Sequence, residues 1–144
     1  MSSSPAAPVV LVVEDNEVNQ LLTASVLERE GFVVDLAGSA GQAIERLRVH
    51  TPDLILMDIQ LPGMDGLSLT RQLKADPATA RITVVALTAH AMTGDREQTL
   101  GAGCAGYISK PIDTRTFGSQ VRAFLTNSVS SSRPSRTDAT LNEQ

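Results

Sequence analysis

Unbroken apolar runs alternate with longer amphipathic segments along this chain, and this alternation limits the fold more than any other feature. The runs cover residues 9–13, 54–57 and 82–87. Runs of this length are typical of strands covered on both faces, as in parallel sheets. Residues 32–37, which include a charged Asp35, predict an edge strand, and residues 106–108 predict a short fifth strand.

Helical spacing of apolar residues fills the gaps between these strands. The predicted buried stripes are Val18, Leu21, Leu22 and Val26, ended by Gly31; Ala43, Ile44 and Leu47; Leu69 and Leu73; and Phe117, Val121, Phe124 and Leu125. A weaker stripe over residues 91–102 predicts the least regular helix. Five strands that alternate with five helices, joined by right-handed crossovers, predict an α/β fold with a doubly wound parallel sheet.

The length of 144 residues suits one compact domain. We predict a flexible N-terminus over residues 1–7, a folded domain over residues 8–127, and a flexible Ser/Thr-rich tail over residues 128–144. The last segment is poor in large apolar residues, so it cannot bury enough surface to offset the entropy lost on ordering. We therefore expect no second folded domain in that segment.

The composition argues against several classes of protein. A net charge of −4 without clustered Lys and Arg argues against direct nucleic-acid binding. Cys104 is the only cysteine, which excludes an internal disulfide and fits a reducing cytoplasmic setting; we expect its thiol to be a small buried apolar group. No apolar stretch approaches the roughly 20 residues of a membrane span, and the first residues do not resemble a signal peptide. We predict a soluble, cytoplasmic protein without membrane insertion.

Charged and hydroxyl residues follow four of the predicted strands. Glu14 and Asp15 follow the first strand, Asp58 the third, Thr88 the fourth and Lys110 the fifth. The carboxyl ends of parallel strands meet at one edge of the sheet, where doubly wound proteins bind their ligands. We therefore expect these five side chains to form one site.

The three carboxylates of this site would repel one another unless a cation relieved the repulsion. Hard oxygen ligands favour Mg²⁺. We expect Asp15 and Asp58 to bind the ion directly and Glu14 to act through water. The backbone carbonyl of Gln60 is the expected third protein ligand.

Lys110 and Thr88 supply a positive charge and a hydroxyl, which suit phosphoryl oxygens. Together with a carboxylate nucleophile and a metal, they predict a phosphoryl-transfer site. Asp58 is the best nucleophile candidate, since it lies centrally and precedes a turn. Taken singly, these residues could be a turn aspartate, a surface lysine and a strand-end threonine. Their combination favours the functional interpretation.

The motifs resemble those of response-regulator receiver domains, over about residues 8–127. The matching stretches are Val-Val-Glu-Asp-Asn (12–16), Leu-Met-Asp-Ile-Gln-Leu-Pro-Gly-Met-Asp-Gly (56–66), Leu-Thr-Ala (87–89) and Tyr-Ile-Ser-Lys-Pro (107–111). Residues 86–112 resemble the stand-alone DivK-like regulators and the receivers of hybrid kinases. The resemblance implies a flavodoxin-like (βα)5 fold with strand order 2-1-3-4-5.

The resemblance also implies a function in two-component signalling. Asp58 would accept a phosphoryl group from a sensor histidine kinase or a histidine phosphotransfer protein, with Mg²⁺. Thr88 and Lys110 would contact that group, Tyr107 would be the switch aromatic, and Lys110-Pro111 would be a cis peptide. The surface of the fourth helix, fifth strand and fifth helix would then change its affinity for a downstream protein target. The implied protein is a phospho-accepting signalling domain rather than an enzyme.

Alternatives remain open from the residues alone. An aspartate-nucleophile phosphatase uses similar groups, but it usually carries an Asp-x-Asp motif after its first strand, where this chain has Glu14-Asp15-Asn16. A binding module that never uses phosphate would not need the complete set of residues. A half-buried core aromatic is the simpler interpretation of Tyr107. The sequence also leaves open a phosphorylation-dependent dimer, and an independent protein or the receiver of a hybrid kinase.

Overall fold

Strands and helices alternate along the whole described part of the chain. The computed structural model describes residues 7–61, 63–89 and 95–132. Its strands are β1 (Val9–Val13), β2 (Val33–Ala37), β3 (Leu54–Asp58), β4 (Thr83–Thr88) and β5 (Gly106–Ser109). Its helices are α1 (Glu17–Arg29), α2 (Ala40–Val49), α3 (Gly66–Ala75), α4 (Asp95–Ala102) and α5 (Phe117–Ser132).

The five strands form one parallel sheet in the order β2-β1-β3-β4-β5, which confirms the predicted flavodoxin-like α/β fold. The predicted edge strand, β2, lies at an edge of the sheet. Strands β1, β3 and β4 are internal and almost fully buried, as their apolar runs predict. Their carboxyl ends bring Glu14, Asp58 and Thr88 to the same edge of the sheet.

The side chains of the central strands alternate between two core layers. One layer packs β1 and β3 against α2, α3 and α4. The other packs the same strands against α1 and α5. The predicted stripes of α2, α3 and α5 are confirmed, because Ala43, Leu69, Leu73, Phe117 and Val121 are buried in these layers.

The predicted stripe of α1 is wrong at three of its four residues. Val18, Leu21 and Leu22 are 72%, 66% and 41% exposed, and the buried residues of α1 are instead Thr23, Val26 and Leu27. Residues 18, 21 and 22 and residues 23, 26 and 27 both follow the spacing i, i+3, i+4. Helical periodicity alone could not decide which side of α1 faces the sheet.

Some boundary predictions fall at or beyond the limits of the described residues. The first residues of the predicted fourth helix, 91–94, lie outside them, and α4 begins at Asp95. Helix α5 continues to Ser132, past the predicted end of the domain at residue 127. Residues 1–6 and 133–144 lie outside the described part, so the flexible segments stay predictions there. No helix within the described ranges has both the length and the apolar character needed to cross a membrane.

Candidate functional site

Hydrogen bonds to β2 and to the residue that precedes α1 hold Glu14 at the end of β1. Its backbone N–H donates to the carbonyl of Ala37 at 3.0 Å, so the β1–β2 ladder extends to this residue. Its carboxylate is buried and accepts from the N–H of Asn16 at 3.2 Å. Asn16 in turn caps α1, since its side chain accepts from the N–H of Asn19. Glu14 is therefore fixed between the end of a strand and the start of a helix, with the exposed Asp15 beside it.

Asp58 is the last residue of β3 and is only 3% exposed. Its Oδ1 atom accepts from the backbone N–H of Gln60 at 3.0 Å. The next residue, Ile59, donates its N–H to Leu87 of β4 and accepts from Gly66 at the start of α3. Asp58 thus lies on a backbone that is anchored to both the sheet and α3.

The structure brings the three predicted carboxylates together. One ligand oxygen each from Glu14, Asp15 and Asp58 lies within 4.8 Å of the others. Such a set of hard oxygen donors fits Mg²⁺ well. Gln60 follows the cluster and bonds it through its N–H, while the metal-binding role of its carbonyl stays a prediction.

Lys110 joins two of these carboxylates. Its Nζ atom lies 3.3 Å from Oε1 of Glu14 and 3.3 Å from Oδ2 of Asp58. Its backbone N–H donates to the carbonyl of Thr88 at 2.8 Å, which ties the loop after β5 to the end of β4. The Lys110-Pro111 peptide is cis, as predicted.

The charges of the site alter the proton affinity of its members. Burial, and then the charge of Asp58, raises the pKa of Glu14, while the N–H of Asn16 and the ammonium of Lys110 oppose this rise. Burial alone would lower the pKa of Lys110, but the charges of Asp58 and Glu14 raise it. Lys110 is therefore cationic at neutral pH and offsets part of the negative charge of the cluster.

Thr88 and Tyr107 lie on neighbouring strands at the same side of the sheet. Thr88 is buried at the end of β4, and Tyr107 pairs with Ala86, two residues before Thr88. Tyr107 is half-buried and lines a surface cavity of about 360 Å³. Leu100, Ala105, Gly106 and Phe124 line the rest of it. Tyr107 therefore lies on the strand next to Thr88 and lines a cavity bounded by residues of α4, β5 and α5.

Two structural contacts at this site were missed by the sequence reasoning. Gln20 of α1 donates its side-chain Nε2–H to the carbonyl of Glu14 at 2.6 Å. Gly66 packs so closely on Asp58 that a Cβ atom would collide with its carbonyl. Gly66 stands in the conspicuous turn after Asp58, which was a usable signal, whereas nothing in the sequence distinguishes Gln20.

A doubly wound parallel sheet that collects carboxylates, a hydroxyl and an ammonium at its carboxyl edge defines a flavodoxin-like α/β domain with a candidate ligand site at that edge. The chain belongs to the response regulator receiver domain family, whose model matches residues 10–122. Receiver domains of response regulators act in phosphorylation-dependent two-component signalling, where they interact with histidine kinases and downstream targets.

Relatives and solved structures agree with this assignment. The chain is 44% identical over 116 residues to the polar-differentiation response regulator DivK of Brucella ovis, covering 81% of this chain and 94% of that protein. It resembles the receiver domain of a Pseudomonas aeruginosa sensor histidine kinase, a structure with a magnesium ion coordinated in the active site cleft, at 36% identity and a TM-score of 0.76. That match covers 84% of this chain and 99% of the other. The signal receiver domain of a Syntrophus aciditrophicus histidine kinase matches at 28% identity and a TM-score of 0.76, covering 93% of this chain and 98% of the other.

Proposed function

We propose that this protein is a phosphorelay switch in which Asp58 accepts a phosphoryl group from a histidine kinase or a histidine phosphotransfer protein. The observation that carries the proposal is the contact between the buried Asp58 carboxylate, the ammonium of Lys110 and the acidic residues Glu14 and Asp15. A single carboxylate at the end of a strand would carry no such argument. An adjacent cation and two further acidic groups suit a site that handles phosphoryl oxygens.

In the transfer step, a carboxylate oxygen of Asp58 attacks the phosphorus of a phosphohistidine. An O–P bond forms, the P–N bond breaks, and its electron pair leaves with the imidazole nitrogen of the donor. Lys110 and Thr88 offer an ammonium and a hydroxyl to the phosphoryl oxygens. Asp15 and Asp58 would hold Mg²⁺ directly, with Glu14 acting through water and Gln60 through its carbonyl. The bound ion supplies charge neutralisation for the phosphoryl oxygens.

The phosphoryl group then biases the domain between two states. Thr88 is drawn toward the new charge, and Tyr107 moves into the space that Thr88 leaves. Because Tyr107 lines the cavity between α4, β5 and α5, its movement changes the surface offered to a downstream protein. The domain signals through this change and turns over no external substrate beyond its own phosphorylation and dephosphorylation.

The exposed side of α1 provides a surface for the phosphoryl donor. Three apolar residues of α1 are exposed, namely Val18, Leu21 and Leu22. Helix α1 begins at Glu17, two residues after Asp15 of the acidic cluster. A donor protein seated on these residues would present its histidine next to Asp58. Apolar contacts of this kind bury surface without competing for the charged groups of the site.

Incubation with acetyl phosphate and Mg²⁺ tests the proposal. Intact-protein mass spectrometry should show the gain of one phosphoryl group in the wild type and none in Asp58→Asn. Asp53→Asn is the matched control, because Asp53 caps the opposite end of the sheet through the N–H of Val9. Labelling of Asp58→Asn equal to the wild type would refute the assignment. Steady turnover of phosphate esters would instead identify a phosphatase, and equal partner affinity with and without beryllofluoride would identify a phosphate-independent binding module.

A further inference from the structure

The side chain of Gln20, the fourth residue of α1, reaches back past the start of the helix. Its side-chain Nε2–H donates to the backbone carbonyl of Glu14 at 2.6 Å, and the side chain is half-buried. That carbonyl belongs to the planar peptide unit that joins Glu14 to Asp15. The bond therefore fixes the orientation of the peptide from which the Asp15 side chain departs.

Asp15 depends on its backbone more than the other two carboxylates do. Glu14 and Asp58 are each bonded to Lys110 and to a backbone N–H. Across the described ranges, no hydrogen bond or ion pair reaches the carboxylate of Asp15, which is exposed yet lies within the acidic cluster. Its position is therefore set by the Glu14-Asp15 peptide, which Gln20 holds.

The Gln20 amide lies close to Gly38, in the turn between β2 and α2. A Cβ atom at Gly38 would lie 3.5 Å from Nε2 of Gln20 and 3.4 Å from Oε1 of Gln42. Gln42 accepts from the N–H of Gly38 at 2.7 Å. The side chains of Gln20 and Gln42 thus both approach Gly38, but of the two only Gln20 is bonded to Glu14.

We infer that Gln20 is a positioning residue that orients Asp15 and so sets the affinity of the acidic cluster for Mg²⁺. This inference rests on the proposed function, because it gives the cluster a metal to bind. Loss of an outer partner of a metal ligand typically weakens metal binding by about 10- to 100-fold. Glu14 keeps its remaining bonds without Gln20, so we expect the lower end of that range, about tenfold.

Gln20→Met is the variant that tests this role, since methionine keeps the length and neutrality of glutamine but cannot donate. Calorimetric titration of the unphosphorylated full chain with Mg²⁺ should show a dissociation constant about tenfold higher than in the wild type. With acetyl phosphate, the Mg²⁺ concentration for half-maximal rate should rise by the same factor, whereas the rate at saturating Mg²⁺ should stay close to that of the wild type. A merely structural role would not produce this separation.

Gln42→Met is the matched control, because it removes the other amide that approaches Gly38, on α2, without touching Glu14. Its Mg²⁺ dissociation constant should equal that of the wild type. Equal weakening in Gln20→Met and Gln42→Met would show general loosening and overturn the inference. Wild-type affinity in Gln20→Met, with Asp58 still labelled, would overturn the inference and leave the proposed function standing.

A measurement on the wild type covers the case in which Gln20→Met does not fold. The side-chain amide signals of Gln20 should shift during an NMR titration with Mg²⁺, and unshifted signals would overturn the inference. Far-UV circular dichroism of each variant establishes whether it is folded. A wild type that neither binds Mg²⁺ nor accepts a phosphoryl group would overturn the proposed function itself, and with it the role of Gln20.

Discussion

The Cα atom of Gly66, the first residue of α3, packs against the backbone carbonyl of Asp58, leaving no room for a Cβ atom. The colliding atoms belong to the main chain of β3 and to the side chain of Met57, so relief requires a shift of the strand end or of α3. Overpacking of this kind costs about 1–3 kcal/mol. We expect Gly66→Ala to lower the free energy of unfolding by this amount and to slow phosphorylation of Asp58 by acetyl phosphate.

Gly41→Ala is the control for this prediction. A Cβ atom at Gly41 would meet only the hydroxyl oxygen of Ser39, at 3.9 Å. Alanine favours helix over glycine by up to about 1 kcal/mol, so this variant should be as stable as the wild type or more so. Urea unfolding of both variants measures the difference. A Gly66→Ala protein with wild-type stability and labelling rate would contradict the close packing.

The raised pKa of Glu14 predicts a pH dependence of the metal-free protein. Burial and the charge of Asp58 raise this pKa in the folded state above its unfolded value. The folded state therefore binds the proton more tightly, and the resulting stabilisation is present below the unfolded pKa and is lost as the pH rises through the folded pKa. Mg²⁺ needs the ionised cluster, so its affinity should fall as the pH decreases through the same range.

Glu14→Gln removes the titrating group while keeping its shape. Without Mg²⁺, we expect this variant to have a higher urea midpoint than the wild type at neutral pH, because the buried negative charge is gone. The difference should shrink as the pH is lowered and wild-type Glu14 becomes protonated. A difference that is independent of pH would show that Glu14 does not titrate as the structure indicates.

The exposed side of α1 predicts a difference between small and protein phosphoryl donors. Leu21→Ala should leave stability within about 0.5 kcal/mol of the wild type, because Leu21 is 66% exposed. Labelling by acetyl phosphate should be unchanged, while transfer from a cognate phosphotransfer protein should fall about tenfold, equivalent to about 1.4 kcal/mol. Val49→Ala, at an equally apolar exposed position on α2, should leave both rates unchanged. Equal losses in the two variants would rule out α1 as the donor surface.

Cys104 should react slowly with thiol reagents in the native protein. Burial raises the pKa of its thiol, although Thr70 and Lys74 oppose this effect, so little of the reactive thiolate exists at neutral pH. The side chain is also only 6% exposed. Reaction with a chromogenic disulfide reagent should be slow in buffer and fast in urea, and fast native labelling would show that the site opens.

Much of the fold follows from hydrophobic patterning. The runs that became β1, β3 and β4 had to be covered on both faces, and a parallel sheet is the arrangement that does so. The side of α1 that is buried could not be predicted, because Val18 and Val26 both belong to groups with helical spacing. The choice between them depends on contacts with β2 and α5 that no local pattern encodes.

The candidate site could likewise be predicted from the sequence only in part. The sequence could predict that Glu14, Asp58 and Lys110 lie close together. Each is found at the end of a strand of one parallel sheet, and the carboxyl ends of these strands share an edge. Gln20 and Gly66 support that site through a side-chain-to-backbone bond and a steric contact. Such contacts depend on loop geometry to within an ångström, and residue spacing carries no information at that scale.

The Lys110 contacts join residues that are far apart in the chain, with 52 positions to Asp58 and 96 to Glu14. Contacts of such long sequence separation need the intervening chain to be present and carry a high loop-closure cost. A chain that has been synthesised only through β3 contains the acidic residues but lacks the ammonium that joins them. The contacts that complete the candidate site can therefore form only after the chain has been synthesised through Lys110.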